Sequence, residues 1–320
     1  MFNWKKIGRI FDPRDYAGRP WLKEFAQGPA TLEFDDFVRV FFSCRPAPDA
    51  NGSYVSNSAW LDLDKKDIHR ILRVSDSPVL THGSYGDFDE FGIYPVSPIR
   101  HGSDVLLYYA GWTRCESVPF NVAIGLAISK DGGSTYEKCG RGPVLSYTLD
   151  EPFVLSGPKI RRFNGIFYLF YIAGKKWVLD NGRPEPVYKI RVAVSRNGFD
   201  WEKIGKNLIP DALGEEEAQA SPDVFFSAGK YHMFFCYRHG RDYRNASRGY
   251  RIGYAYSTDL QNWTRDDAKA GLLPSEEGWD SEMVSYPHLA KINGKIFMFY
   301  LGDSVGRWGF GAAELEGSLI

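Results

Sequence analysis

The 320-residue chain has only four cysteines, Cys44, Cys115, Cys139 and Cys236, and no two stand close together. That excludes a zinc-ribbon spacing and a dense disulfide framework, and the four are expected as buried thiols. No apolar run is long enough to span a bilayer or to serve as a signal peptide, so a cytoplasmic protein with no membrane partner is expected. An excess of one charge sign is also missing. The 39 Lys and Arg stand against 40 Asp and Glu, a formal net charge of -1, which leaves no global field to attract nucleic acid. The six histidines are dispersed, so no metal site is expected among them. No cofactor is expected either, beyond a structural calcium or other ion in a channel ringed by carboxylates. Finally, no segment carries the helical period that an α/β solenoid would repeat.

What the sequence does have is one unit written five times. Pro29, Pro95, Pro158, Pro222 and Pro287 each open a short apolar strand, and subtraction gives intervals of 66, 63, 64 and 65 residues. A tight turn follows at a fixed place: Asp35-Asp36, Gly102-Ser103, Asn164-Gly165, Ala228-Gly229 and Asn293-Gly294. Asn-Gly suits a two-residue hairpin. Second strands end in paired aromatics at Phe41-Phe42, Tyr108-Tyr109, Phe170-Tyr171, Phe234-Phe235 and Phe299-Tyr300. Third strands cover 58–63, 123–129, 190–195, 252–257 and 309–315, and an outer strand comes after each. Four antiparallel strands per unit predict an all-β fold, a single-domain five-bladed β-propeller over residues 1–320. The fifth unit stops after its third strand. The N-terminal Asn3-Trp-Lys-Lys-Ile-Gly-Arg9 reads like Asp200-Trp-Glu-Lys-Ile-Gly-Lys206, so the N-terminal strand is expected to complete blade five and close the ring.

In such a blade the loop before strand one and the loop joining strands two and three share an end, and here those loops are long and chemically loaded. Five residues before the repeat proline stand Glu24, Glu90, Glu217 and Glu282, with Asp87, Asp89, Glu215, Glu216 and Asp280 beside them. Past the second strands come Arg45, Arg114, Lys175, Lys176, Arg238, His239, Asp303 and Arg307. Acids and bases at one mouth are what glycosyl transfer requires: a carboxylic acid for the leaving oxygen, a second carboxylate for water or attack, and groups to hold the sugar. Glu90 and Glu217 are expected to face the mouth and rank first as catalytic residues. Asp89 and Glu282 join them, and Glu24 ranks last because Lys23 can pair with it locally. Arg45, Arg114, Lys176, Arg238 and His239 form a basic collar for substrate, and Trp112 and Trp177 offer faces for stacking on a sugar.

The five-unit layout, the Ser-x-Asp-Gly and Ser-x-Asp-Leu-x-x-Trp hairpins and Ala-Ser-Pro-Asp-Val at 220–224 resemble the five-bladed propeller glycosidases, among them glycoside hydrolase families 43, 32, 62, 117 and 130. The resemblance to family 43 implies three catalytic carboxylates. Gly28 and Ser156 stand where two of them would be, and only Asp223, of the Pro-Asp-Val element, matches; it joins the substrate-binding set. The resemblance to family 130 implies phosphate as nucleophile, held by the basic collar. Asp12-Pro13-Arg14 is similar to part of that family's Glu-Asp-Pro-Arg motif, with Phe11 in place of the Glu. The expected function is glycosyl cleavage or transfer by a glycosidase-like enzyme, with hydrolysis ahead of phosphorolysis. The alternatives are a phosphorylase or glycosyltransferase acting on a phosphorylated or nucleotide sugar, and a non-catalytic glycan-binding propeller. The expected partner is a carbohydrate or sugar phosphate.

Overall fold

Three of the five inner hairpins turn on two successive residues with left-handed backbone: Asn164-Gly165 (φ 50° and 82°), Ala228-Gly229 (47° and 76°) and Asn293-Gly294 (48° and 82°). The right-handed twist of the flanking strands favours this geometry. In the computed structural model, which describes every residue except Ala17, such hairpins build five separate four-stranded sheets.

The chain starts with β1 (Asn3–Phe11). Blade one is β2 (Glu24–Glu33), β3 (Phe37–Arg45), β4 (Asn57–Asp64) and β5 (Ile71–Val74). Blade two is β6 (Gly92–His101), β7 (Asp104–Arg114), β8 (Phe120–Ser129) and β9 (Glu137–Lys138). Blade three is β10 (Leu155–Phe163), β11 (Ile166–Asp180), β12 (Arg183–Ser195) and β13 (Glu202–Lys203). Blade four is β14 (Ala218–Ser227), β15 (Lys230–Arg238), β16 (Arg251–Ser257) and β17 (Thr264–Arg265). Blade five is β18 (Ser285–Ile292), β19 (Lys295–Leu301), β20 (Phe310–Glu316) and, as its outer strand, β1. Every pairing within a blade is antiparallel, and the core clusters lie between neighbouring blades, such as Phe42, Leu61, Phe299 and Phe310 between blades one and five.

Ring closure pairs Asn3 with Glu316 and Phe11 with Phe310. Trp4 is buried in the seam, and its indole N–H donates to the Ala270 carbonyl. Lys6 shows a further device. Its ammonium binds the buried Asp280 at 2.7 Å, and Tyr300 Oη donates to the same carboxylate. The outer strands of three other blades do likewise: Lys138 binds Asp89, Lys203 binds Glu151 and Arg265 binds Glu217. Tyr109 and Tyr171 donate to the first two of these acids. Each buried carboxylate thus latches the start of an inner strand to the outer strand of its own blade, and the N-terminal segment closes blade five with the same part. Deleting residues 1–12 removes this latch and empties the sites of Trp4 and Phe11. We expect a fall in melting temperature of more than about 10 °C, since each lost aromatic costs ~3–5 kcal/mol. Unchanged melting would contradict the closure.

Cys44 and Cys236 are buried as expected, but Cys115 and Cys139 are exposed. Cys115 stands in the connection after β7, and Cys139 follows the two-residue outer strand β9, where little protein covers them. No helix of the described residues is long and apolar enough to cross a membrane.

Candidate active site

At the repeat proline each inner strand carries a register shift: Gln27/Ala30, Ile93/Val96, Ser156/Lys159, Ala220/Asp223 and Ser285/His288. Four of the preceding residues, Gly28, Gly157, Ser221 and Tyr286, have positive φ, and Tyr94-Pro95 is cis. Bulges re-aim side chains and recur beside active sites. Here they divide the axis into a mouth, before the proline, and a buried channel beyond it. Gly28 also leaves no space for a larger residue. With φ at +62°, a Cβ there would lie 2.6 Å from Pro95 Cβ, so the catalytic aspartate of family 43 has no room at this position.

The mouth is floored by Tyr94 and Tyr286, and burial raises both phenol pKa values well above the ordinary range. Arg45, at the end of β3, stands near Tyr94, Tyr54 and Tyr286, with Glu24 as the carboxylate in its field. Its guanidinium stands 4.3 Å from the Phe25 ring centre and reaches Gln27 Oε1 at 3.4 Å. Burial lowers its pKa, but a guanidinium stays charged at any neutral pH. Beside it, Glu24 accepts from Tyr54 Oη and from Arg307 Nη2, each at 2.9 Å. Burial and then the Glu24 hydrogen bond raise the Tyr54 pKa, so that phenol keeps its proton. Arg307 Nε is buried with no partner among the described residues. Its guanidinium shares the Trp308 ring with Arg14, at 5.1 and 4.7 Å. Asp12-Pro13-Arg14 therefore stands at the rim of the mouth, with Asp12 clamped by Arg14 and Arg9. Across the mouth, Trp112, Phe120, Phe153 and Trp177 form one partly buried aromatic group over Ala110, Val122 and Val154.

Several residues expected here lie elsewhere. Glu217 was expected to face the mouth. It is fully buried, held by Arg265, by Gln219 and by the backbone N–H groups of Ala212 and Leu213. Asp89 is committed in the same way, to Lys138 and Tyr109. The ring of carboxylates is thus largely a set of blade latches, because each acid meets a cation from its own blade's outer strand. Glu282 is exposed, and only its backbone is fixed, by Asp303 and Arg251. Glu90 is partly exposed and accepts the Gly86 N–H at the end of its own loop.

The basic collar is also mostly engaged. Arg238 is buried under the Tyr243 ring, at 3.7 Å, and its donors go to Tyr250, Tyr188 and the carbonyls of Pro186 and His239. The His239 imidazole is partly buried, and burial and then Arg248 lower its pKa. Lys176 lies 3.8 Å from Glu216. Arg114 is exposed, donates to the Tyr54 carbonyl and lies 3.7 Å from Asp49. Trp112 donates to Ser56 Oγ and packs on Phe91.

Asp223 lies below the mouth, in the channel. It accepts two hydrogen bonds from Arg161 Nη2, at 2.6 and 2.7 Å, and one from the Leu289 N–H, and it lies 3.0 Å from His288 Nδ1. Lys159, in the same cluster, donates to the Pro29 carbonyl. The channel is filled by these side chains, and no group of three His, Cys, Asp or Glu among the described residues is placed to hold a metal ion. Tyr94, Tyr286, Tyr54 and the weight of Glu24 escaped sequence reasoning. Two of them directly precede a repeat proline, and that was the available signal.

No protein-family model matches the chain. "Uncharacterized protein Rv1502" of Mycobacterium tuberculosis (strain ATCC 25618 / H37Rv) is 34% identical over 320 residues, covering 98% of this chain and 99% of the relative. A "1,2-beta-oligomannan phosphorylase" of Thermoanaerobacter sp. (strain X514) is 26% identical over 252 residues, 77% of either chain. A solved structure described as "Glycoside hydrolase" superposes with a TM-score of 0.76 over 99% of this chain and 93% of its own, at 17% identity. The chain belongs to one family with the M. tuberculosis protein, within the five-bladed β-propeller glycoside hydrolase and phosphorylase superfamily.

Proposed function

We propose that the protein is a glycoside phosphorylase, transferring a glycosyl group to inorganic phosphate at the propeller mouth, with β-1,2-linked mannosides as its substrate class. The supporting observation is the company Arg45 keeps. It lies over the Tyr94–Tyr286 floor with one carboxylate, Glu24, in its field, while Glu217 and Asp89 are bound into latches. A hydrolase of the usual kind needs two carboxylates about the scissile bond. Phosphorolysis needs only one proton donor, because phosphate supplies the attacking oxygen. The anomeric carbon–oxygen bond breaks, a carbon–oxygen bond to phosphate forms, and the leaving oxygen takes one proton. The Tyr54 and Glu24 pair holds a proton beside Arg45. Arg45 is suited to phosphate by its planar fork of donors. The substrate class rests on the name of the Thermoanaerobacter relative. A charged sugar phosphate product is retained by a cell, which accords with a cytoplasmic enzyme.

The test is to incubate the protein with β-1,2-mannobiose, with and without phosphate, and to assay mannose 1-phosphate and free mannose. Mannose 1-phosphate formed only with phosphate is the expected result. Free mannose released at one rate in both mixtures would make it a hydrolase. Binding without turnover would make it a recognition propeller.

A further inference from the structure

Glu24 opens β2 at the mouth, and each of its carboxyl oxygens meets a donor. Arg307 Nη2 donates to Oε1 and Tyr54 Oη to Oε2, both at 2.9 Å. A guanidinium can only donate, and the phenol spends its one proton on this bond. A carboxyl group set between two donors is the ionised form, so the transferable proton of the trio sits on Tyr54. The partly exposed Tyr54 comes from the loop joining β3 and β4, where Arg114 of blade two holds its carbonyl at 3.2 Å. Arg307 comes from the turn between β19 and β20. Ser304, Val305 and Gly306 of that turn have left-handed backbone, with φ of 54°, 54° and 72°. This conformation is unfavourable for a β-branched residue such as Val305. Blade one holds it in place: Gln27 Nε2 donates to the Val305 carbonyl at 2.6 Å, and the Phe25 N–H donates to the Arg307 carbonyl at 3.0 Å. Strain of this kind gathers at active sites, and here it brings Arg307 to Glu24.

We propose that Tyr54 is the catalytic acid, its phenol protonating the leaving oxygen, and that Glu24 and Arg307 are positioning residues that aim it. The proposal rests on the phosphorylase reading above. A phosphate oxygen forms its bond to the anomeric carbon while the glycosidic carbon–oxygen bond breaks. The electron pair of that bond goes to the leaving oxygen, which takes the Tyr54 proton. The attacking hydrogen phosphate dianion carries a proton of its own. Once esterified it releases that proton at about pH 6 and above, and the proton returns to the phenolate. The cycle therefore closes without a second carboxylate. Burial and then the Glu24 hydrogen bond raise the Tyr54 pKa, so the phenol keeps its proton at rest and gives it up to an oxygen that is becoming an alkoxide, a stronger base. Arg45, whose guanidinium stands 5.4 Å from the Tyr54 ring centre, and Arg307 offset the phenolate charge in the interval.

The experiment compares wild type, Tyr54→Phe and Glu24→Gln in phosphate on two substrates. The leaving oxygen of β-1,2-mannobiose needs a proton, and the leaving group of 2,4-dinitrophenyl β-mannoside does not. We expect Tyr54→Phe to lower kcat/KM about 10³-fold on mannobiose and less than about tenfold on the dinitrophenyl mannoside, whose turnover shows that the variant is folded. Glu24→Gln should lower both by one similar factor. An equal loss on both substrates in Tyr54→Phe would overturn Tyr54 as the acid, and a loss confined to mannobiose in Glu24→Gln would transfer the role to Glu24. Either result leaves the phosphorylase reading standing. Sugar release by wild type at one rate with and without phosphate would end that reading instead, and the same contrast of leaving groups would then decide the role of Tyr54 in hydrolysis. Turnover of neither substrate by wild type would overturn both.

Discussion

Arg45→Ala is expected to lower kcat/KM in the phosphate-dependent assay by about 10²–10³, the usual scale for removing one preorganised charged donor from a developing anion. Most of the loss should appear as a raised KM for phosphate. Arg45→Lys keeps the charge but loses the planar fork, so its activity should fall between the two. The fold does not depend on the Arg45 contact to Gln27, which is long at 3.4 Å. Melting should therefore change little. A phosphate KM equal to that of wild type, measured across a phosphate series, would remove Arg45 from the site.

Asp223→Asn should destabilise the whole ring, by about 3–5 kcal/mol, because it leaves the partly buried Arg161 without its counter-charge. The cluster spans the channel: Lys159 and Arg161 from β10, Asp223 from β14, His288 from β18, and Thr31 from β2. The Thr31 N–H donates to His288 Nε2 at 2.9 Å, so the neutral ring carries its proton on Nδ1, toward Asp223. Burial, and after it the Lys159 ammonium, lower the His288 pKa to about 3. An unfolded histidine titrates near 6.5. Between those values the unfolded chain binds a proton that the folded chain refuses. Stability should then fall with acidification by up to ~1.4 kcal/mol per pH unit.

Burial alone would raise the Asp223 pKa, but Arg161 and then His288 outweigh it and hold the carboxyl below its usual range. Its contribution is present above the unfolded value and adds to the acid loss below about 3.9. Urea midpoints at pH 7 and 4.5 test this. Wild type should lose stability over that range, and His288→Gln should flatten the slope. A slope unchanged in the variant would show that the acid sensitivity arises elsewhere.

The fold was legible because its signals are local. A proline, a turn pair and two aromatics recur within each unit, and the kinship of Asn3–Arg9 with Asp200–Lys206 marks the closing strand. The site was less so, because the partner of a carboxylate is set by the sheet and not by its neighbours in sequence. Glu24 ranked last on account of Lys23, yet its partners are Tyr54 and Arg307, 30 and 283 residues away. Glu217 ranked first, and its cation comes from β17, 48 residues on. The latches did leave a signal. Trp4-Lys-Lys6, Tyr136-Glu-Lys138, Trp201-Glu-Lys203 and Trp263-Thr-Arg265 repeat an aromatic and a base two apart in four of the five outer strands. Counted with Asp280, Asp89, Glu151 and Glu217, they would have assigned those acids to the frame.

The seam between β1 and β20 also sets an order of events during synthesis. β1 leaves the ribosome before the other strands of the propeller and pairs with residues 310–316, so it stays without its partner until the last blade has been made. Blades one to four contain all their own strands and can form while translation continues, as local units generally do. Blade five cannot. Its completion is the contact of greatest sequence separation in the molecule and so the slowest kind to form. Until then the growing chain carries an unpaired edge at either end of an open arc, the state in which it is most exposed to pairing with another copy of itself.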